Sequence, residues 1–510
     1  MSSEFFDVLI IGAGLSGIGA ACHLSTHCPD KSFLILEGRN AIGGTWDIFR
    51  YPGVRSDSDI FTFGYSFKPW TGDKAIASGA SIRDYICEAA EEFGVTQHIR
   101  FGHRVISADW STADARWSLQ VLDLATGQLT TFTCRFLLSC TGCYDCDAGY
   151  TPSFSGRENF KGLFIHPQQW PEDLDYSGKR IIVIGSGATA VTLVPALTDK
   201  AAHVTMLQRS PSYVASVPER ATLALKLRRF LPEKVVYRLS RTFYISSHML
   251  FFKFCKKYPG LARKLLLKMA SVQLGKRFDL AHFTPSYRPW DERMLAVPDG
   301  DLFKVLREGK ATVVTDQIAT FTSQGIKLKS GRELSGDIIV SATGFNMQYF
   351  GGISIHVDGQ PFNINQAVTY RALMLSDLPN AALIFGYTNA AWTLKADICC
   401  EYICRVLNYM DRVGMRQCTP RVPKRSFETQ PFLDLTSGYV QRAAMQLPRQ
   451  GTKAPWKLKQ NYAYDLTILR YTRLADGHII FSNPEHAPSE KNTQSKEQLS
   501  EGISPEAVNS

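Results

Sequence analysis

The stretch FDVLIIGAGLSGIGAACHLSTHCPDKSFLILE, residues 6–37, decides the fold. An apolar run enters Gly12-Ala13-Gly14-Leu15-Ser16-Gly17, an Ala-rich helical pattern follows, and a second apolar run closes on Glu37. Strand, glycine turn, helix, strand and terminal acid in that order make a dinucleotide-binding βαβ unit. Gly12 permits the tight turn, Gly14 lets backbone approach a pyrophosphate, and Gly17 lets helix and strand pack closely. Free N–H groups around Ser16 at the helix start suit phosphates, and Glu37 is placed to accept hydrogen bonds from ribose hydroxyls.

The pattern returns at KRIIVIGSGATAVTLVPAL, residues 179–197. Here Gly185, Ser186, Gly187, Ala188, Thr189 and Ala190 form the turn, and the next strand ends in Gln208-Arg209-Ser210. No acid closes this unit. An acid would repel a 2′-phosphate, which Arg209 and the Ser210 hydroxyl can bind. The first unit therefore reads as a site for FAD or NAD and the second as a site for NADP. FLLSCTG (136–142) and DIIVSATGF (337–345) each run apolar residues into Thr-Gly, as where a chain crosses between two nucleotide domains.

The expected class is α/β, two Rossmann-like dinucleotide-binding domains (FAD and NADP) with a helical insertion. Residues 1–150 and 386–486 are assigned to the FAD domain and 151–215 and 300–385 to the NADP domain. Residues 216–299 are a basic helical insertion, and 487–510 a disordered tail. A length of 510 residues suits two or three domains, and 45% hydrophobic with 20% charged residues is an ordinary globular balance. No charged-then-apolar leader precedes Phe5–Ile11, and no apolar run approaches the roughly 20 residues of a membrane span. A cytoplasmic protein is expected. Twelve scattered cysteines argue against a disulfide framework. Cys140, Cys143 and Cys146 have ferredoxin-like spacing, but the next cysteine is Cys255, so no metal is expected.

Two further motifs carry a family resemblance. FKGLFIHPQQWP, residues 160–171, sets Phe160, Gly162, His166, Trp170 and Pro171 at fixed offsets, and GGTWDIFRYPGVRSD spans residues 43–57. Together they resemble the Baeyer–Villiger monooxygenases, class B flavoprotein monooxygenases. The closest type is the ethionamide-activating FAD-containing monooxygenases, over roughly residues 5–485. In physical terms the first motif reads as a joint between the two nucleotide domains. Gly162 supplies a hinge conformation, His166 anchors the linker by hydrogen bonding, and Trp170 with Pro171 fixes where it docks.

The resemblance implies FAD and NADPH as cofactors. It further implies that a C4a-peroxyflavin inserts one oxygen atom of O2 next to a ketone carbonyl, giving an ester or lactone. Arg293, in PWDERMLAVPDG, matches the family's active-site arginine, with Asp57 orienting it and Arg288 as a rival. Glu292 stands where many relatives have lysine. Around FAD the resemblance places Thr45, Trp46, Asp47, Ile48, Asp57 and Val105; Arg55, Ser56 and Asp57 would contact NADP. Thr388 and Asn389 precede a helix that could face the flavin, and Trp456 has no evident role. Sulfoxidation is expected as a side activity. Two alternatives stay open: an N-/S-oxygenating flavin-containing monooxygenase acting mainly on heteroatoms, and a non-catalytic FAD-binding redox sensor. A flavin disulfide reductase is excluded, because no reactive cysteine pair follows Gly43-Gly44-Thr45.

Charge is unevenly spread. From Arg220 to Phe278 there are fifteen Lys and Arg against one acid, Glu233, so this segment carries +14 in a chain of net charge +10. LKLRRFL, MLFFKFCKKY and LARKLLLKMA alternate apolar and basic residues at helical spacing. Such helices suit peripheral contact with an anionic membrane, or equally a lid whose apolar face packs on the nucleotide domains. Small-molecule ketone or sulfide substrates and O2 are the expected partners, with no nucleic acid.

Overall fold

A computed structural model describes residues 4–276, 278–423 and 427–484; the tail expected to be disordered lies outside them. The opening stretch folds as its pattern dictates. Strand β1 (Glu4–Ile11) feeds helix α1 (Leu15–His27), which returns to the parallel strand β2 (Phe33–Leu36). An antiparallel meander follows: β3 (His103–Ser111), β4 (Arg116–Asp123) and β5 (Leu129–Ser139), the last pairing parallel to β1.

The second sheet is wholly parallel. It comprises β6 (Leu163–Ile165), β7 (Arg180–Ile184), β8 (His203–Gln208), β9 (Ala311–Thr315) and β10 (Ile338–Ser341), in the order β6-β10-β7-β8-β9. Helix α2 (Ala188–Leu197) follows its glycine turn. Two nucleotide-binding folds in one chain are present as expected.

One boundary differs. The strands β11 (Ser354–Val357) and β12 (Ala381–Leu383) belong to the first sheet, pairing β3 and β5 respectively. The chain therefore leaves the second sheet after Ser341 and has rejoined the first by residue 354, well before the boundary expected at 385/386. The return path explains this: Phe345–Met347 runs antiparallel to Tyr144–Gly149, so the outgoing and returning crossovers pair with each other.

The long insertion leaves the second unit through a neck, Val214–Val217 parallel to Leu295–Pro298. Its main helices are α3 (Glu233–Lys257) and α4 (Pro259–Leu274). Among the described residues no helix is long and apolar enough to cross a membrane. Helices α5 (Trp392–Val413) and α6 (Tyr462–Tyr471) close the first unit. Trp456 is buried in its core, its ring 5.4 Å from Tyr370 and 5.7 Å from Phe427.

The joint at residues 160–171 differs in one detail. Gly162 does not have a positive φ. A Cβ there would lie 2.4 Å from the Asp337 carbonyl oxygen and 2.5 Å from the Phe160 ring. Its role is close approach, not hinging. Gly162→Ala should accordingly destabilise the protein by about 1–3 kcal/mol, the usual cost of overpacking, read as a lower midpoint in urea unfolding; an unchanged midpoint would restore the hinge.

Candidate active site

Both glycine turns are built on one steric rule. Gly12 has φ +100°, and a Cβ on it would sit 2.9 Å from the carbonyl oxygen of Cys140. Gly185 has φ +141°, and its Cβ would sit 2.3 Å from the carbonyl oxygen of Ala342. The two Thr-Gly strand ends thus press on the two turns. A Cβ on Gly17 would fall 1.8 Å from the Gly12 carbonyl oxygen, so helix α1 rests on its own turn as expected. Ala190 is buried in the core of the second unit. Neither α1 nor α2 has a side-chain N-cap or an acid in its first turn, which leaves their first N–H groups for an anion. A Cβ on Gly187 would meet open space.

A cavity of about 870 Å³ runs over the first turn. Gly12, Gly14, Ser16, Glu37, Thr45, Trp46, Ile48, Ser56, Asp57, Val105 and Arg293 all line it. Glu37 is buried; one carboxylate oxygen accepts the Ala13 N–H at 2.7 Å and the other the Arg39 N–H at 2.8 Å. Burial pushes its pKa up, against those two N–H groups. Each oxygen keeps a lone pair for a ribose hydroxyl.

At the other end Arg293 Nη2 lies 2.5 Å from Asp57 Oδ2. The Asp57 carboxylate raises the Arg293 pKa further, so the guanidinium is a fixed positive charge. Tyr144 and Tyr439 stand beside it with ring centroids 6.4 Å apart, and burial pushes both phenols up, keeping them protonated donors. The rival Arg288 is exposed and outside the cavity lining.

Other expected residues fall elsewhere. Asp47 does not line the cavity; it is buried, held by Arg39 Nη2 at 2.6 Å and Arg50 Nη2 at 2.5 Å, as a buried carboxylate requires. Arg55 is already paired in bidentate fashion with Asp301, at 2.5 and 3.3 Å. Gln208 turns inward, donating to His282 O and Thr315 Oγ1, while Arg209 and Ser210 are exposed beyond it. Burial raises the Glu292 pKa, and the positive charge of Arg209 opposes that rise. Ser186 Oγ accepts from Ser212 Oγ. Thr388 lines the cavity, whereas Asn389 turns to the Gln460 carbonyl.

Some contributors escape the sequence. Trp392 donates its indole N–H to Ser16 Oγ at 2.9 Å; the motif GYTNAAWTLKAD around it was the available signal. Tyr144 and Tyr439 carry no local signal, since they meet Arg293 only through the fold.

These glycine turns and the buried acid fit a dinucleotide, and comparison with known proteins names it. A family model described as flavin-binding monooxygenase-like matches residues 75–359, and one for an NAD(P)-binding Rossmann-like domain matches residues 10–70. The chain is 52% identical to the FAD-containing monooxygenase EthA of Mycolicibacterium smegmatis, covering 96% of this chain and 99% of that protein. The chain belongs to the flavin-binding monooxygenase family. It is a flavoprotein monooxygenase with FAD as its cofactor. It is also 51% identical to the putative FAD-containing monooxygenase MymA of Mycobacterium tuberculosis, over 95% of this chain and 99% of that one. An open crystal structure of cyclohexanone monooxygenase shares its fold, with TM-score 0.74, 20% identity, and coverage of 94% of this chain and all of that one.

In this monooxygenase the joint lies against the cavity. His166 Nδ1 accepts the Gln168 N–H at 3.2 Å, so its Nε2–H donates to the Gly344 carbonyl at 3.1 Å; Gln168 lines the cavity. Burial lowers the His166 pKa. A histidine lowered in the folded state lets the unfolded chain take up the proton first, so stability falls as pH drops below about 6.5. Between pH 7.5 and 5.5 this should cost up to about 1.4 kcal/mol. In urea unfolding at both pH values, His166→Gln should lose less than the wild type; equal losses would place the pH dependence elsewhere.

Proposed function

We propose that this monooxygenase is a Baeyer–Villiger enzyme, taking NADPH as reductant and inserting one atom of O2 beside a ketone carbonyl. The observation that carries the reading is the Asp57–Arg293 pair inside the flavin cavity. FAD, when bound, supplies the oxygen activation and accepts the reducing equivalents of NADPH. Gly12, Gly14, Ser16, Gly17, Glu37 and Val105 would hold its adenosine and pyrophosphate half, with Thr45, Trp46 and Ile48 along the rest.

The chain's own residues do three things. The glycine turn and the bare N-terminus of α2, with Ser186, Ala188, Thr189, Arg209 and Ser210, hold NADPH. Arg293 offers a permanent cation to the negative charge that develops on the substrate carbonyl oxygen, and Asp57 fixes its orientation. Tyr144 and Tyr439, protonated and half-buried, wall that end of the cavity. An arginine cannot serve as a proton donor near neutral pH, so Arg293 acts by charge alone. Heteroatom oxidation needs no such oxyanion, and sulfoxidation accompanies the main activity. The enzyme works in the cytoplasm, with peripheral contact to an anionic membrane at residues 216–299, away from the chemistry.

Arg293→Ala should retain FAD and lower ester formation from a ketone panel by on the order of 10²–10³-fold, while sulfide oxidation falls less. Ester formation near the wild-type rate would remove Arg293 from the reaction. Loss of a charge-assisted contact to the 2′-phosphate costs about 1.5–3 kcal/mol. Arg209→Ala should therefore raise the KM for NADPH roughly tenfold to a hundredfold and that for NADH little; equal effects on both would sink the assignment.

A further inference from the structure

Helices α3 and α4 are apolar on two faces. The inward face of α3 places Val236 and Tyr237 in the core of the first unit, and that of α4 places Ala270 and Leu274 in the core of the second. That would satisfy a lid. Beside that inward face, however, Val235, Leu239, Phe243 and Leu250 are all exposed, at spacings of four, four and seven residues, which is one helical stripe. Leu261, Leu265, Met269 and Val272 make the same stripe on α4. Phe230, in the approach to α3, is 84% exposed. Of twenty-one exposed large apolar side chains among the described residues, twelve lie between Leu223 and Val272. A solvated lid has no use for them.

Basic residues border the stripes. Lys234, Arg238, Lys253 and Lys257 on α3, with Lys264 and Lys268 on α4, form no ion pair among the described residues. We infer that α3 and α4 form a two-helix platform that lies flat on an anionic lipid bilayer, both stripes in the headgroup boundary and the bordering cations on lipid phosphates. Charge selects this occupant. A second copy of the chain would set one +14 segment against another, whereas an anionic surface complements it. The platform rests on the peripheral contact proposed above and is independent of the oxygenation chemistry.

Sedimentation tests it. The purified holoenzyme is mixed with vesicles of phosphatidylcholine alone or with added phosphatidylglycerol, at low and high salt. It should pellet with phosphatidylglycerol at low salt and be released as salt rises. The pairs Leu239→Asp with Phe243→Asp, and Leu265→Asp with Met269→Asp, should each weaken binding at least tenfold while FAD content and NADPH oxidation stay at wild-type level. Lys253→Glu with Lys257→Glu should lower the salt-sensitive part. A wild type that stays in the supernatant overturns peripheral contact altogether. Binding that persists in both stripe variants leaves the contact standing and overturns the platform. Self-association of the wild type on gel filtration, abolished in the stripe variants without any vesicle binding, makes a second copy the occupant and overturns the lipid reading.

Discussion

Asp57 and Arg293 meet at 2.5 Å, and they come from different units of the molecule. Asp57 ends the loop RYPGVRSD of the first unit; Arg293 sits at the neck of the second unit's insertion. A carboxylate and a guanidinium half withdrawn from water each need the other, because either alone carries the cost of desolvation without repayment. Everything that brings them together is therefore under constraint. Three residues of the same loop dock on the second unit. Tyr51 is buried in its core, and a Cβ on Gly53 would lie 2.7 Å from Ala196 and 2.9 Å from the Thr192 carbonyl oxygen of α2. Arg55 grips Asp301. Tyr, Gly, Arg and Asp at alternate positions thus act as four points of one bearing, with the Arg293 guanidinium at its end.

The second constraint is that the two units are joined twice. The outgoing chain at Tyr144–Gly149 and the returning chain at Phe345–Met347 are hydrogen-bonded to one another, and Thr343 Oγ1 donates to the Tyr150 carbonyl at 2.7 Å. His166 closes this ribbon: its ring lies where a Cβ on Gly149 would be, and its Nε2–H holds the Gly344 carbonyl. A single linker would let the second unit swing freely, whereas a paired ribbon pinned by a neutral imidazole restricts it to motions that keep those bonds. The spacing of the 160–171 motif is the sequence trace of that pin.

Much of this was legible because it is local. The βαβ units, their glycine turns and the acid or arginine at their ends are set by contacts within about thirty residues, and the two sheets follow from them. What failed was what depends on distant neighbours. Gly162 looks like a hinge until the Asp337 carbonyl, 175 positions away in sequence, is seen against it. Gln208, at the end of the same strand as Arg209 and Ser210, turns inward because His282 and Thr315 claim its amide. Asp47 sits in a flavin motif yet serves two arginines. β11 and β12 have only four and three residues, too few to show a period, and so the return to the first sheet was placed late.

The insertion is where charge, packing and motion meet. Its helix α3 is locked to the first unit by Arg241, buried, donating to the carbonyls of Phe61 and Gly64 and lying 3.3 Å from Asp397 of α5. Its helix α4 is tied to the second unit by Arg263, which donates to the Tyr213 hydroxyl and to the carbonyl oxygens of Pro285 and Tyr287 in the insertion's own return. Only Tyr258 separates the two helices. A rotation of one unit against the other must therefore change the angle between α3 and α4, or break the buried Arg241 cluster or the half-buried Arg263 cluster. Breaking the Arg241 cluster leaves a guanidinium unpaired in the interior and is the costlier course. In any such rotation the Lys257–Tyr258–Pro259 corner is the place that would have to give, and the two outward stripes would move with it.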